Sequence, residues 1–165
     1  MLTRVPVVQI HASRFCNYRC LHCYSSSTPQ ARDTLRLGDI LSTTALLADE
    51  GYRRASLSGG EPVLYSGFAG LAKGLSDQGY DVGVITNGTH ANRLLAAMRA
   101  GWVTQASISF DGLAELHDTV RQKTGAFRKA IDALSTLAAA GVDPGVVISV
   151  TRQSIAQLPE LVGQL

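Results

Sequence analysis

The sequence predicts an α/β fold: a partial, open (β/α) barrel of the TIM type, with about five parallel strands and helices on its outer face. Short apolar, β-branched runs alternate with segments of helical period along the whole chain, and a glycine follows the last periodic residue of four of the helical segments. Length sets the number of units. The chain has 165 residues, and one strand-plus-helix unit of a closed eight-stranded barrel takes about 31 residues. That leaves room for about five units and excludes closure. The absence of a Pro/Ser-rich linker predicts a single domain over residues 1–165.

The strand candidates are Val5 to His11, Ala55 to Ser58, Val82 to Thr86, Ala106 to Phe110 and Val146 to Thr151. Each is nearly continuous in apolar residues, the pattern of strands covered on both faces. Between them, one helical face carries Ile40, Thr44 and Leu47, the next Phe68, Leu71 and Leu75, then Leu94, Leu95 and Met98, then Phe127, Ile131, Leu134 and Ala138. The pairs Gly51-Tyr52, Gly79-Tyr80, Gly101-Trp102 and Gly141-Val142 end these helices, with glycine supplying a left-handed residue past the last turn. A last helix is expected from about Ser154, broken or started by Pro159.

Composition excludes several function classes. Charged residues make up 17% and apolar residues 45%, against roughly 25% charged in ordinary soluble domains, so disorder is a poor description. The net charge is +2 and, apart from Arg53-Arg54, the basic residues are scattered. Nothing tracks a phosphate backbone, so no nucleic-acid partner is expected. No segment reaches the ~18 apolar residues of a membrane span, and no leader pattern opens the chain. A cytoplasmic protein without a membrane partner is the reading.

All three cysteines fall in one loop, Arg14-Phe15-Cys16-Asn17-Tyr18-Arg19-Cys20-Leu21-His22-Cys23-Tyr24. An odd, local cluster is a poor disulfide framework. Soft thiolates at such spacing suit an iron–sulfur cluster, zinc or copper(I), with an incidental buried thiol group as the plain alternative; zinc would take a fourth ligand from His11, His22, His90 or His117. A cubane on three cysteines leaves one iron free of protein. Ser58-Gly59-Gly60-Glu61-Pro62 follows the second strand and reads either as a turn or as a backbone that approaches a ligand closely. His11 is a candidate lining residue, and His90 and His117 are assigned to the surface. In open α/β sheets, ligands sit at the carboxyl ends of the strands, where these residues cluster.

Taken in order, Cys-x3-Cys-x2-Cys after the first strand and Gly-Gly-Glu-Pro after the second resemble the radical S-adenosylmethionine superfamily. Ile85-Thr86-Asn87-Gly88, Ser107 to Gly112, His117-Asp118 with Arg121, and Gly125-Ala126-Phe127 resemble its peptide-modifying and cofactor-maturing branch, whose members usually carry a C-terminal auxiliary iron–sulfur (SPASM/twitch) domain. The resemblance implies that Cys16, Cys20 and Cys23 hold a [4Fe-4S] cluster whose fourth iron binds S-adenosylmethionine. It further implies methionine contacts at Gly59, Gly60 and Glu61, a ribose or carboxylate contact at Ser109, adenine contacts at His22, Val147 and Ile148, and cofactor roles for Asn87, Asp111 and Arg121. The reaction implied is reductive cleavage to a 5′-deoxyadenosyl radical, followed by hydrogen abstraction from a peptide or cofactor precursor. A flavodoxin- or ferredoxin-like donor would supply the electron.

The resemblance also implies a core of six units, so the chain is expected to be cut before the sixth. The fifth strand then has an open edge suited to self-association. Asn87-Gly88 has a competing reading as a plain turn, Asp111 as a helix cap, and Arg121 as a surface or paired group. Two further alternatives are a cluster-binding remnant without catalysis and a zinc-binding interaction module.

Overall fold

Residues 6–165 are described by a computed structural model of the chain. The predicted first strand began at Val5, which lies outside the described residues. Five strands, β1 (Val7–Ile10), β2 (Arg54–Leu57), β3 (Asp81–Thr86), β4 (Gln105–Phe110) and β5 (Gly145–Ile148), form one sheet in sequence order. All four pairings are parallel. The chain returns through α1 (Leu37–Asp49), α2 (Phe68–Asp77), α3 (Ala91–Arg99), and a pair, α4 (Ala114–Arg121) and α5 (Ala126–Ala139), before ending in α6 (Leu158–Gln164). This is the open, partial barrel that the sequence predicted.

The strands are covered on one face, which corrects the expectation of two. β3 and β4 alternate strictly between buried and more accessible positions. Ala55, Leu57, Val82, Val84, Ala106, Ile108 and Phe110 pack outward with Leu71, Leu75, Leu94 and Leu137 of the helices, all of them buried. Each such large side chain contributes roughly 1.5–3 kcal/mol through burial. The alternate positions hold Gln9, Ser56, Gly83 and Gln105, which the register places side by side across four strands. These small and polar residues face the opposite, concave side, which no helix among the described residues covers. The run looked continuous because alanine, glycine and serine blur a period of two.

Helix endings follow the glycine pattern. Gly51, Gly79, Gly101 and Gly141 all have φ between 74° and 91°. After each, the next amide bonds back to the third-last helical carbonyl: Tyr52 to Leu47, Tyr80 to Leu75, Trp102 to Ala97 and Val142 to Leu137, each at 3.0 Å. These are complete Schellman closures, and the bulky residue that follows each glycine carries the chain to the next strand.

α4 has no counterpart among the helices that the sequence predicts. Only His117 and Arg121 of its eight residues are buried, and neither registers as apolar in a periodicity search. The last helix begins at Leu158, with Pro159 in its first turn after a 3-10 turn over Ile155–Gln157. Proline therefore starts it. β5 ends at Ile148 rather than Thr151, because Thr151 turns away to bond with Ser154. Among the described residues β5 pairs only with β4, and Val146 and Val147 are partly exposed. Among the described residues no helix is long and apolar enough to cross a membrane.

Candidate active site

The segment from His11 to Arg36 leaves β1 and folds back on itself over the carboxyl ends of the strands. Backbone bonds close it, from Arg14 N to Asp33 O (3.0 Å), Cys16 N to Thr28 O (3.2 Å) and Leu35 N to Ala12 O (2.8 Å). Its outer bend is tied to α4, where Leu21 N donates to Val120 O at 2.8 Å. The thiols are thus held by backbone, not by side-chain chance.

The turn after β2 docks on this loop. Gly60 N donates to Ser13 O (3.0 Å) and Glu61 N to Phe15 O (2.9 Å). A Cβ on Gly60 would lie 2.1 Å from Phe15 O, and Gly59 has φ +108° with His11 against it. Close approach is the reason for both glycines. Glu61 is buried and accepts from Val63 N (3.3 Å), Thr86 Oγ1 (2.6 Å) and Asn87 N (2.9 Å). Burial pushes its carboxyl up, opposed by the Asn87, Thr86 and Val63 bonds. Its side chain ties the second strand end to the third and leaves the turn's backbone facing the cavity.

That cavity measures about 460 Å³. Of the residues singled out by sequence, Cys16, Cys20, Cys23, His22, Gly59, Gly60, Glu61, Asn87, Ser109, Arg121 and Val147 line it. Asp111 and Ile148 do not, and neither does His11, whose ring rests against Tyr24. Ile148 packs on the outer core, one position out of phase with Val147. Asp111 lies behind the wall, buried, and gathers the residues in front of it. Its Oδ1 bonds His22 Nε2 at 2.7 Å and its Oδ2 accepts from Arg121 Nε at 2.5 Å. It caps no helix, and Arg121 is buried and paired.

Burial tends to raise the Asp111 carboxyl, and the Arg121 guanidinium, helped by the His22 bond, overrides it, so the carboxyl lies below its ordinary value. His117, expected at the surface, is 1% exposed. It accepts from Asp111 N at 3.2 Å through Nδ1 and packs on Phe110 and Phe127. Gln9, Tyr24, Ile85 and Ser27 also line the cavity. For Gln9 the available signal was its place as the polar residue in an apolar strand.

The thiols differ in environment. Burial pushes Cys16 up to about 12 and Cys20 also upward. For Cys23 burial acts the same way, but bonds from Ser25 and Ser27 outweigh it and the thiol is lowered. Tyr18 N reaches Cys16 Sγ at 3.4 Å and Ser27 N reaches Cys23 Sγ at 3.3 Å. Buried sulfurs that already meet amide donors suit thiolates charged by bound metal. Among the described residues, no three His, Cys, Asp or Glu side chains gather around a single ion. Three sulfurs around one cavity fit a polynuclear cluster in which three of the irons take one sulfur each.

The open parallel sheet with this loop over its carboxyl end defines a class. The chain belongs to the Radical SAM superfamily, whose family model matches residues 10–153.

Its relatives narrow the branch. It is 31% identical over 163 residues to the Fe-coproporphyrin III synthase of Methanosarcina barkeri, covering 94% of this chain and 40% of that one. With the mycofactocin maturase MftC of Mycolicibacterium smegmatis it shares 36% over 151 residues, covering 88% and 38%. The chain therefore spans about two fifths of the length of the curated relatives it matches. In fold it is similar to Streptococcus suis SuiB bound to S-adenosylmethionine, with a TM-score of 0.81, 18% identity, and coverage of 96% of this chain and 37% of that one. SuiB has also been solved with its precursor peptide SuiA.

Proposed function

We propose that residues 1–165 are the catalytic core of a radical S-adenosylmethionine enzyme that acts on a peptide or a cofactor precursor. The observation that carries this reading is the convergence of Cys16, Cys20 and Cys23 with the Gly59-Gly60-Glu61 turn on one cavity at the carboxyl end of the sheet. A [4Fe-4S] cluster held by Cys16, Cys20 and Cys23 would supply one-electron reduction of bound S-adenosylmethionine, the radical chemistry needed to take a hydrogen atom from the substrate.

The chain's own residues bind and orient. Cys16, Cys20 and Cys23 are the iron ligands. The backbone of Gly59, Gly60 and Glu61 receives the methionine amino group, and Asn87 fixes the loop by donating to Asn17 Oδ1 at 2.8 Å and facing Cys16 Sγ at 3.9 Å. Ser109 and Arg121 offer donors to the ribose and the carboxylate. Val147 supplies an apolar wall for adenine, His22 an edge whose orientation Asp111 sets, and Ile148 supports Val147 from the far side of the strand. The reducing cytoplasm suits exposed cluster chemistry, and a flavodoxin- or ferredoxin-like protein would deliver the electron. The free edge of β5 is a site for self-association or for the rest of a longer polypeptide.

Anaerobic incubation of the iron- and sulfide-loaded protein with S-adenosylmethionine and a strong reductant tests the reading. Release of 5′-deoxyadenosine is expected from the wild type and is absent from the Cys20→Ala variant. A loaded protein that binds S-adenosylmethionine and never cleaves it contradicts it.

A further inference from the structure

The loop that carries the thiols has a larger net positive charge than the whole chain. Residues 11–36 hold Arg14, Arg19, Arg32 and Arg36 against Asp33, a net +3, while the chain as a whole is +2. Three of these arginines, separated in sequence, gather on the turn formed by residues 26–33. Arg14 Nη2 donates to Ser26 O at 3.2 Å, Arg19 Nη2 donates to Gln30 Oε1, and Arg32 Nη1 donates to Pro29 O at 3.1 Å and Ala31 O at 3.0 Å. All three residues are exposed. Arg14 also pairs with Asp33 at 3.3 Å. The acceptors of Arg19 and Arg32 are neutral and leave each guanidinium its full charge, and residues 1–5 contain no acidic side chain.

The same turn supports the thiols. Ser26 N donates to Cys23 O (3.1 Å) and Ser27 N to Cys23 Sγ (3.3 Å). Thr28 joins the Cys16 segment through Cys16 N to Thr28 O (3.2 Å) and Thr28 N to Arg14 O (3.3 Å). The arginines are thus mounted on a turn that is hydrogen-bonded directly to two of the three cysteines. Arg121 lines the cavity, whereas Arg14, Arg19 and Arg32 do not. A molecule held by these three leaves the cavity free for S-adenosylmethionine and substrate. What must still reach the thiol site from outside is an electron. A compact patch of one sign suits a small, weak, electrostatically steered encounter, the usual form of contact between electron-transfer proteins. A nucleic acid would call instead for basic residues extended along a row of phosphates.

We propose that Arg14, Arg19 and Arg32 form the docking face for an acidic one-electron carrier protein. This rests on the proposed function, which requires the electron, and adds the place where it enters. One electron leaves the reduced carrier, which is oxidised by one step, and reduces the iron–sulfur site held by the cysteines; no atom is transferred.

The test is anaerobic stopped-flow reduction of the iron- and sulfide-loaded chain by an acidic flavodoxin in its hydroquinone form, at ionic strengths from about 0.02 M to about 0.5 M. The second-order rate constant is expected to fall about tenfold or more across that range. At low salt, Arg32→Glu should lower it about threefold and Arg19→Glu with Arg32→Glu about tenfold, both converging on the wild type at high salt. Reduced methyl viologen, small and cationic, should reduce the variants at least as fast as the wild type, which separates docking from damage to the site. A rate constant insensitive to salt, or to both charge reversals, overturns the inference. In parallel, 15N-labelled flavodoxin is titrated with the iron-free chain by NMR. Shifts at its acidic residues are expected with the wild type and not with the double variant; their absence from both overturns the inference. An oligouridylate that binds the arginines more tightly than flavodoxin at about 0.15 M salt assigns the patch to nucleic acid and overturns it as well. Flavodoxin binding through the arginines by a chain that takes up no iron, or never cleaves S-adenosylmethionine, contradicts only the proposed function.

Discussion

His22 and Asp111, 89 positions apart in sequence, are joined at 2.7 Å, so the cysteine loop and the end of β4 share one buried carboxylate. The second oxygen of that carboxylate holds Arg121. One side chain thereby fixes two residues of the cavity wall, and its own side chain is only 1% exposed.

Replacing Asp111 by alanine leaves the Arg121 guanidinium buried and uncompensated. A loss of about 3–5 kcal/mol is expected in denaturant unfolding. The double variant Asp111→Leu with Arg121→Met should recover most of it, because the penalty belongs to the orphaned charge. Equal losses in the single and double variants would contradict this account of the pair.

His117 makes stability depend on acidity. Burial holds its imidazole down to about 4 in the fold, with the Arg121 cation adding to the effect and Asp111 and Asp118 opposing it, whereas an unfolded chain titrates near 6.5. The unfolded state binds more protons between those values. The contribution is complete above pH 6.5 and fades as pH falls toward 4, by roughly 3 kcal/mol. His117→Phe should flatten the slope of unfolding free energy against pH in that window.

Gly60→Ala places a methyl group 2.1 Å from Phe15 O. The neighbour is backbone, so the cysteine loop itself must move. Thermal unfolding should register a loss of about 1–3 kcal/mol, and S-adenosylmethionine affinity should fall with it. Gly51→Ala is the control: it meets no atom within 4 Å and carries only the left-handed penalty.

Glu61→Gln keeps the shape of the side chain and exchanges one acceptor for a donor. Glu61 accepts from Thr86 Oγ1, Asn87 N and Val63 N, so the new amide faces a donor at one of them. A cost of about 1–3 kcal/mol is expected by denaturant titration.

The legible part of the sequence was the part written in strong local signals. Gly51, Gly79, Gly101 and Gly141 announced four helix ends because only glycine takes that turn cheaply, whereas Pro159 is compatible with a break or a start of the last helix and only the structure makes it the start. The thiol loop and Gly-Gly-Glu-Pro were legible as motifs. What stayed hidden depended on long-range partners. His117 looks like a polar surface residue until Asp111 N, Phe110 and Phe127 surround it. Asp111 was assigned a direct cofactor role because sequence cannot distinguish a carboxylate in a wall from one behind it. Ile148 was misplaced by a single strand position, which is enough to change faces. The concave face was hidden by its own small residues, since serine and glycine interrupt an apolar run without marking it as half open.

The measurement closest to the central claim is iron and sulfide content together with Mössbauer spectra of the anaerobically reconstituted chain, with and without S-adenosylmethionine. The account predicts one [4Fe-4S] cluster per chain, a change confined to one iron site on adding S-adenosylmethionine, and no cluster in Cys16→Ala, Cys20→Ala or Cys23→Ala. Uptake of zinc alone, or a cluster that survives in any of those three variants, would contradict it.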